Sequence, residues 1–290
     1  MEIDHEALAS AIATKLGIED TPVRYKTGSV PVFRFGERVL KLFRPNEERY
    51  IATELAVLRR LLGRITIPTP EALDSGTFDD WHYLLMRRVE GDPLDEIWAD
   101  IDPRSRVALM RSLGESMAQF HAVPTDDLDD VASDWSAFLA EYRPNVREKH
   151  LDKGLAERWA DQLDAFVDRW YVEDDRRALL HTEVMRQHVM AQRDANGWRL
   201  SGIVDFEPSM VAPPDYELAS VGVFTTCGEP GLLAAYLEGY GTPWDESIPN
   251  RIMAQAILHR YGNLKWYLER LGDADAATTL EGLAADWFKP

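Results

Sequence analysis

One cysteine, Cys227, is all that 290 residues provide, so no internal disulfide can form and the fold must rest on its core. Basic residues are scarce beside acids: 32 Lys and Arg stand against 50 Asp and Glu, a formal charge of −18 at pH 7. Such a field repels phosphate backbones and anionic membrane surfaces, which argues against nucleic acid and membrane as partners, and it attracts small cations. No run approaches the roughly 18 consecutive apolar residues that a spanning helix needs. The amino terminus carries Glu2, Asp4 and Glu6 where a secretory leader needs basic residues, so the sequence predicts a cytoplasmic protein, as a monomer or weak dimer. What remains is globular, with 45% hydrophobic and 28% charged residues, enough for one large or two modest cores.

Residues 30–35 and 38–43 are rich in Val, Phe and Leu and flank Gly36-Glu37, a two-residue link suited to a hairpin. Lys41 lies between Leu40 and Leu42, so the two-residue period sends it to the opposite face, beside Val39 and Phe43. Taken alone, such a lysine is as readily an edge residue as a functional one. Pro45 and Asn46 open a predicted helix with Ile51, Leu55, Leu58 and Leu62 at helical spacing. Glu54 falls on the edge of that stripe, within reach of Lys41. A strand over residues 81–87 runs into Glu90-Gly91-Asp92-Pro93, a turn-rich link that separates residues 1–88 from 89–290. Beyond it the pattern turns helical over 107–121, 155–170, 230–240 and 252–271.

A β insertion interrupts the helices: residues 189–193, the turn Asp194-Ala195-Asn196-Gly197, then 198–206. If that turn closes a hairpin, facing residue numbers sum to about 391, which sets His188 against Ile203 and about 7 Å from Asp205. Both side chains then reach one metal ion. His181, Glu183, Arg186 and Gln187 come immediately before.

The segment His181-Thr182-Glu183-Val184-Met185-Arg186-Gln187-His188, followed by Ile203-Val204-Asp205-Phe206, resembles the catalytic core of the aminoglycoside phosphotransferases, small-molecule relatives of the protein kinases. Their pattern is His-x-Asp-x-x-x-x-Asn, a short hairpin, then Asp-Phe or Asp-Trp. Pro214-Asp215-Tyr216-Glu217-Leu218-Ala219 is similar to the family's Pro-x-Tyr-Asp-Leu-Ala, and Lys41, Glu54 and the 113–121 segment fall in the family's order. The resemblance covers nearly the whole chain. It implies an α+β, two-lobe protein-kinase-like fold, with a small N-terminal β-sheet lobe (1–88) for the nucleotide and a larger, mostly helical C-terminal lobe (89–290) for catalysis and substrate.

The resemblance further implies ATP or GTP as donor and Mg2+, with Mn2+ as the variant, as metal. Lys41, steadied by Glu54, would grip the phosphates, with Gly28, Ser29, Met86 and Arg88 beside the nucleotide. Asp205 and His188 would hold the metal, Glu183 would serve as base and His181 would brace the loop. Two positions depart from the pattern. Glu183 replaces an Asp, moving the carboxylate outward by one methylene, and His188 replaces an Asn, a nitrogen ligand that suits zinc or manganese better than magnesium. The 26–30 loop also holds only one glycine.

The acid excess and the resemblance together point to a small cationic substrate, an aminoglycoside or aminocyclitol, with hygromycin-type kinases as the nearest likeness. Glu207, Asp134, Trp135, Glu229, Tyr261 and Trp266 are candidate substrate contacts, since carboxylates and rings hold amino sugars. Arg186 would either neutralise a transferring phosphate or pair with Glu207. Two alternatives stay open: a kinase of a nucleoside antibiotic or other hydroxylated metabolite, and a pseudokinase that binds ligand without transfer. A zinc hydrolase built on His181, Glu183, His188 and Asp205 leaves Lys41 and Glu54 unexplained.

Overall fold

The computed structural model describes residues 4–26, 28–128, 135–272 and 277–290. Five antiparallel strands build the amino-terminal sheet: β1 (Val23–Arg24), β2 (Val32–Phe35), β3 (Arg38–Phe43), β4 (Ala72–Phe78) and β5 (Trp81–Arg87), in the order β1-β2-β3-β5-β4. Phe35 pairs with Arg38, so Gly36-Glu37 is the two-residue hairpin link that the sequence predicts.

Alternation along β3 sorts its side chains between two cores. Leu40 and Leu42 pack with Phe33, Phe35, Tyr83 and Leu85 beneath an amino-terminal helix, His5–Lys15, which Asp4 caps. Phe43, Leu84 and Met86 turn to the other face, against Ile51, Val57 and Leu58 of the helix Glu48–Leu61. Lys41 shares this second face, which is why it meets the helix rather than solvent. The helix buries Ile51, Glu54, Val57, Leu58 and Leu61, not the stripe ending in Leu62. Leu62 lies past its last turn and is exposed.

Gly91, in the link that follows β5, has φ +91°, and a Cβ there would stand 2.5 Å from the Ala191 carbonyl oxygen. Only glycine lets the link pass so close to the insertion hairpin, on which β6 (Asp92–Pro93) adds an edge strand. The lower lobe is helical, led by Pro103–His121, whose Met110, Leu113, Met117 and Phe120 are all buried as their spacing predicts. Among the described residues no helix is long and apolar enough to cross a membrane.

Two predicted helices are each broken in two. Residues 155–170 form Glu157–Ala160 and Leu163–Trp170, and at the break the Gln162 side chain bonds Thr278 O and Leu280 N–H. Residues 252–271 fall within Ile248–Leu258 and Leu264–Leu271. There Gly262 packs so closely that a Cβ would stand 2.7 Å from the His259 carbonyl oxygen, and Asn263 caps the second helix through Trp266 N–H. A pattern of apolar spacing continues across such a break without registering it.

Strand β7 (Ala178–Leu180) leads into the 181–188 loop, β8 (Val189–Asp194) and β9 (Gly197–Ile203) form the insertion hairpin, and β10 (Met210–Ala212) returns to pair with β7. The hairpin register runs as predicted from Asp194↔Gly197 to Ala191↔Leu200, then slips at a bulge between Met190 and Ala191. Val189, not His188, therefore faces Ile203. His188 is carried one residue further, and its carbonyl accepts Val204 N–H at 2.9 Å.

Candidate active site

Both lobes meet at Lys41. Its Nζ lies 3.0 and 2.9 Å from the two Glu54 oxygens, contacts Asp205 Oδ1, and lies 3.6 Å from Glu207 Oε2. One ammonium thus serves three carboxylates in a buried place. Burial works to lower the Lys41 pKa, but Asp205, Glu54 and Glu207 override it and hold the group charged. Burial raises Glu54 to about 7 against the pull of Lys41. For Asp205 burial works upward too, and Lys41 with His188 overrides it, leaving this carboxylate well below the usual range.

Asp205 has φ +75°, a conformation rare for a non-glycine residue, and the turn aims its carboxylate at Lys41 on one side and His188 on the other. His188 Nε2 is 3.1 Å from Asp205 Oδ2, and its Nδ1 donates to the Glu183 carbonyl oxygen at 2.9 Å. With the hydrogen on Nδ1, Nε2 and Asp205 Oδ2 are two electron-pair donors facing each other, an arrangement that takes a proton or a metal ion between them. Ligand atoms of Glu183, His188 and Asp205 lie within 4.8 Å of one another, as do those of Glu54, Asp205 and Glu207. The donor set and its surplus of negative charge fit a divalent cation, with the imidazole as the one nitrogen ligand. Burial raises the Glu183 pKa, against a smaller lowering by His188.

The loop that carries Glu183 is braced from behind. His181 is fully buried, donates from Nε2 to Val204 O at 2.9 Å, and is pushed down to about 4 by burial, which keeps it neutral. Glu217 Oε2 accepts His181 N–H at 2.7 Å, and Ser220 Oγ accepts Val184 N–H at 3.2 Å. His121 also faces Glu217, at 3.4 Å. In the sequence Glu217 is only one letter of a motif; its partners His121 and His181 come from two separate segments, and Ser220 from its own helix.

In front lies a cleft of about 190 Å³ with Lys41, His188 and Asp205 at its polar end and Val39, Met190 and Val204 along its apolar wall. Gly28, Ser29, Met86 and Arg88 line it as well. This shape suits a planar ring in the slot and an anion at the lysine.

The six candidate substrate contacts separate. Glu207 sits at the polar end of the cleft, 3.6 Å from Lys41 Nζ and bonded by Ser29 Oγ at 2.8 Å. Glu229 is held by Trp98 Nε1, Arg106 and Arg186 at 2.8, 3.0 and 2.7 Å, so each of its oxygens already has a protein partner. The same contacts settle Arg186: it pairs with Glu229, not Glu207, and lies over the Trp98 ring. Trp135 packs on Tyr216 and Phe138 and lines a different hollow with Arg143 and Tyr171. Trp266 packs tilted against Phe224 and edge-on against Tyr267. Tyr261 is half exposed, and its hydroxyl lies within the electrostatic reach of Glu183. Asp134 falls outside the described residues.

The profile of the phosphotransferase enzyme family matches residues 27–249. Among solved structures, the GDP complex of aminoglycoside 2'-phosphotransferase-IIIa is similar at a TM-score of 0.73 and 16% identity, with 91% of this chain and 96% of that one covered. The macrolide 2'-phosphotransferase MphH of Brachybacterium faecium gives 0.58 at 22% identity, covering 98% and 99%. These likenesses establish the two-lobe, kinase-like fold. A curated relative, the lysine-specific demethylase JMJ21 of Arabidopsis thaliana, is 20% identical over 217 residues, 61% of this chain; the chain spans only 23% of that protein.

Proposed function

Because the chain belongs to the phosphotransferase enzyme family, we propose that it transfers the γ-phosphoryl group of ATP or GTP to a hydroxyl of an aminoglycoside or aminocyclitol antibiotic and so confers resistance. The observation that carries this reading is the polar end of the cleft, where Lys41 joins Glu54 of the upper lobe to Asp205 of the lower, with Glu183 alongside. Residues 1–88 would bind the nucleotide, and residues 89–290 would bring the acceptor and the catalytic loop. The base lies in the apolar slot near Met86, and Lys41, steadied by Glu54, reaches the α and β phosphates.

Asp205 and His188 would hold a divalent cation, Mg2+ or Mn2+, which neutralises charge on the phosphate oxygens when bound. Glu183 accepts the acceptor hydroxyl's proton as its oxygen bonds to the γ-phosphorus and the bond to the bridging oxygen breaks. Its buried, raised carboxylate is suited to proton transfer, since a base nearer working pH is more effective. Placement and charge supply most of the catalysis in such a transfer. A formal charge of −18 favours a polycationic acceptor. The protein would act in the cytoplasm as a monomer or weak dimer.

The test is a susceptibility panel of aminoglycosides, aminocyclitols and macrolides in a host that expresses the chain, with acceptor-dependent nucleotide consumption by the purified protein. Protection and turnover with a cationic sugar support the reading. Turnover with macrolides alone moves the substrate class. Nucleotide binding with no acceptor-dependent turnover replaces transfer with a binding role, to which the Glu183 and His188 departures would then be traced.

A further inference from the structure

Thr182 stands between His181 and Glu183 with φ +69°, a left-handed conformation that is an outlier for a β-branched residue. Such a conformation persists only where its surroundings over-determine it. Here the surroundings come from residues 259 and 260, at the break between Ile248–Leu258 and Leu264–Leu271. His259 Nε2 donates to Thr182 O at 3.1 Å. Arg260 Nη2 donates to Thr182 Oγ1 at 2.9 Å and also to the Pro208 carbonyl oxygen, which accepts Thr182 Oγ1–H at 3.0 Å as well. Arg260 N–H donates to Tyr216 Oη at 2.8 Å, which anchors the arginine's own backbone.

One guanidinium nitrogen thus joins the two segments whose spacing matters for chemistry. Thr182 precedes Glu183, and Pro208 follows Asp205 by three residues. Resting on the proposed transfer reaction, we infer that Arg260 is a positioning residue: by fastening Thr182 to Pro208 it holds the Glu183 carboxylate in register with Asp205. The family match ends at residue 249, so Arg260 lies beyond it. Arg260 Nε is buried with no hydrogen-bond partner among the described residues. An orphaned buried donor lowers stability, so the side chain is not arranged for stability alone.

The test compares the full-length parent with Arg260→Met, which keeps an unbranched apolar stem and loses the guanidinium donors, and with Arg260→Lys, which keeps charge and a donor. Three quantities are read: kcat per nucleotide-binding site, Kd for Mg·ADP by calorimetry, and backbone hydrogen exchange over residues 179–188. Arg260→Met should lower kcat about 10- to 100-fold, the usual effect of misplacing a reacting group by about 1 Å, with Kd changed by less than about twofold. Exchange at the Glu183 and Val184 amides should quicken, and Arg260→Lys should restore most of both.

Parent-like kcat and parent-like exchange in Arg260→Met would overturn the inference. So would a loss shared equally between kcat per site and nucleotide binding, which a general structural role produces. If Arg260→Met fails to fold, Thr182→Val removes, at constant shape, the Oγ1 that accepts from Arg260 and donates to Pro208 O; it should lower kcat and quicken exchange in the same peptide, and unchanged values there would also overturn the inference. Should the parent turn over no acceptor at all, the transfer reading fails, while the exchange comparison still decides whether Arg260 holds the loop.

Discussion

Lys41 and Glu54 form a fully enclosed pair, Nζ lying 2.9 and 3.0 Å from the two carboxylate oxygens, with a side-chain exposure of 8% for the lysine and 0% for the acid. Glu54 Oε1 also accepts Phe206 N–H at 3.3 Å, so the helix Glu48–Leu61 reaches the turn that carries Asp205 through this one carboxylate. The pair therefore ties β3 to the lower lobe at the point where phosphates would lie.

From that pair comes the first prediction. Lys41→Ala removes the ammonium shared by Glu54, Asp205 and Glu207, and it should abolish measurable transfer at limiting nucleotide while circular dichroism stays native. Breaking the pair leaves buried carboxylates unpaired, so the apparent nucleotide affinity should fall too. Wild-type turnover in this variant would remove Lys41 from the site.

Glu183→Gln keeps the size of the side chain and loses its charge. Turnover should drop by about 10² to 10⁴, the range typical of a lost general base, with nucleotide Kd unchanged. Calorimetry and single-turnover kinetics on the same preparation check both halves. An unaltered kcat would leave Glu183 as part of the loop's bracing.

His188 offers a nitrogen where the resembling pattern has an amide. The ratio of Mn2+- to Mg2+-supported turnover should therefore be higher in the parent than in His188→Asn, because nitrogen ligation suits the softer ion. Chelation of divalent metal should silence both. Equal ratios in the two proteins would place His188 outside the metal's ligand set.

A fourth expectation concerns stability far from the site. His150 is fully buried; its Nε2 donates to Ile257 O at 3.0 Å and its Nδ1 accepts Leu264 N–H at 3.2 Å, so only the neutral ring satisfies both partners. Burial pushes its pKa down to about 4. The unfolded chain binds the proton first, so this stabilisation is complete above about pH 6.5 and is lost as pH falls towards 4. In His150→Gln the slope of unfolding free energy against pH near pH 5 should be shallower by about one proton, or ~1.4 kcal/mol per pH unit. Urea titrations at pH 7.5, 6 and 5 measure it; identical slopes would show that His150 is not held neutral.

Local patterning was enough to reveal the hairpin around Gly36-Glu37, the strand Trp81–Arg87, the insertion hairpin and the buried face of Pro103–His121, because periods of two and three to four residues are properties of neighbouring positions. The same is true of Lys41, whose face follows from its place between Leu40 and Leu42, while the roles expected of Glu183, His188 and Asp205 came from the resemblance of the 181–188 and 203–206 segments to a family pattern. Tertiary structure decided the rest. Nothing between residues 186 and 229 announces that Arg186 will spend itself on Glu229, or that Trp135 will pack on Tyr216 away from the cleft. The break that frees Arg260 is silent in a helical pattern, since it is made by the close approach of Gly262 and the cap at Asn263. Partners separated by tens of residues are chosen by which buried donors and acceptors must be satisfied once the chain is packed, and that choice exists only in three dimensions.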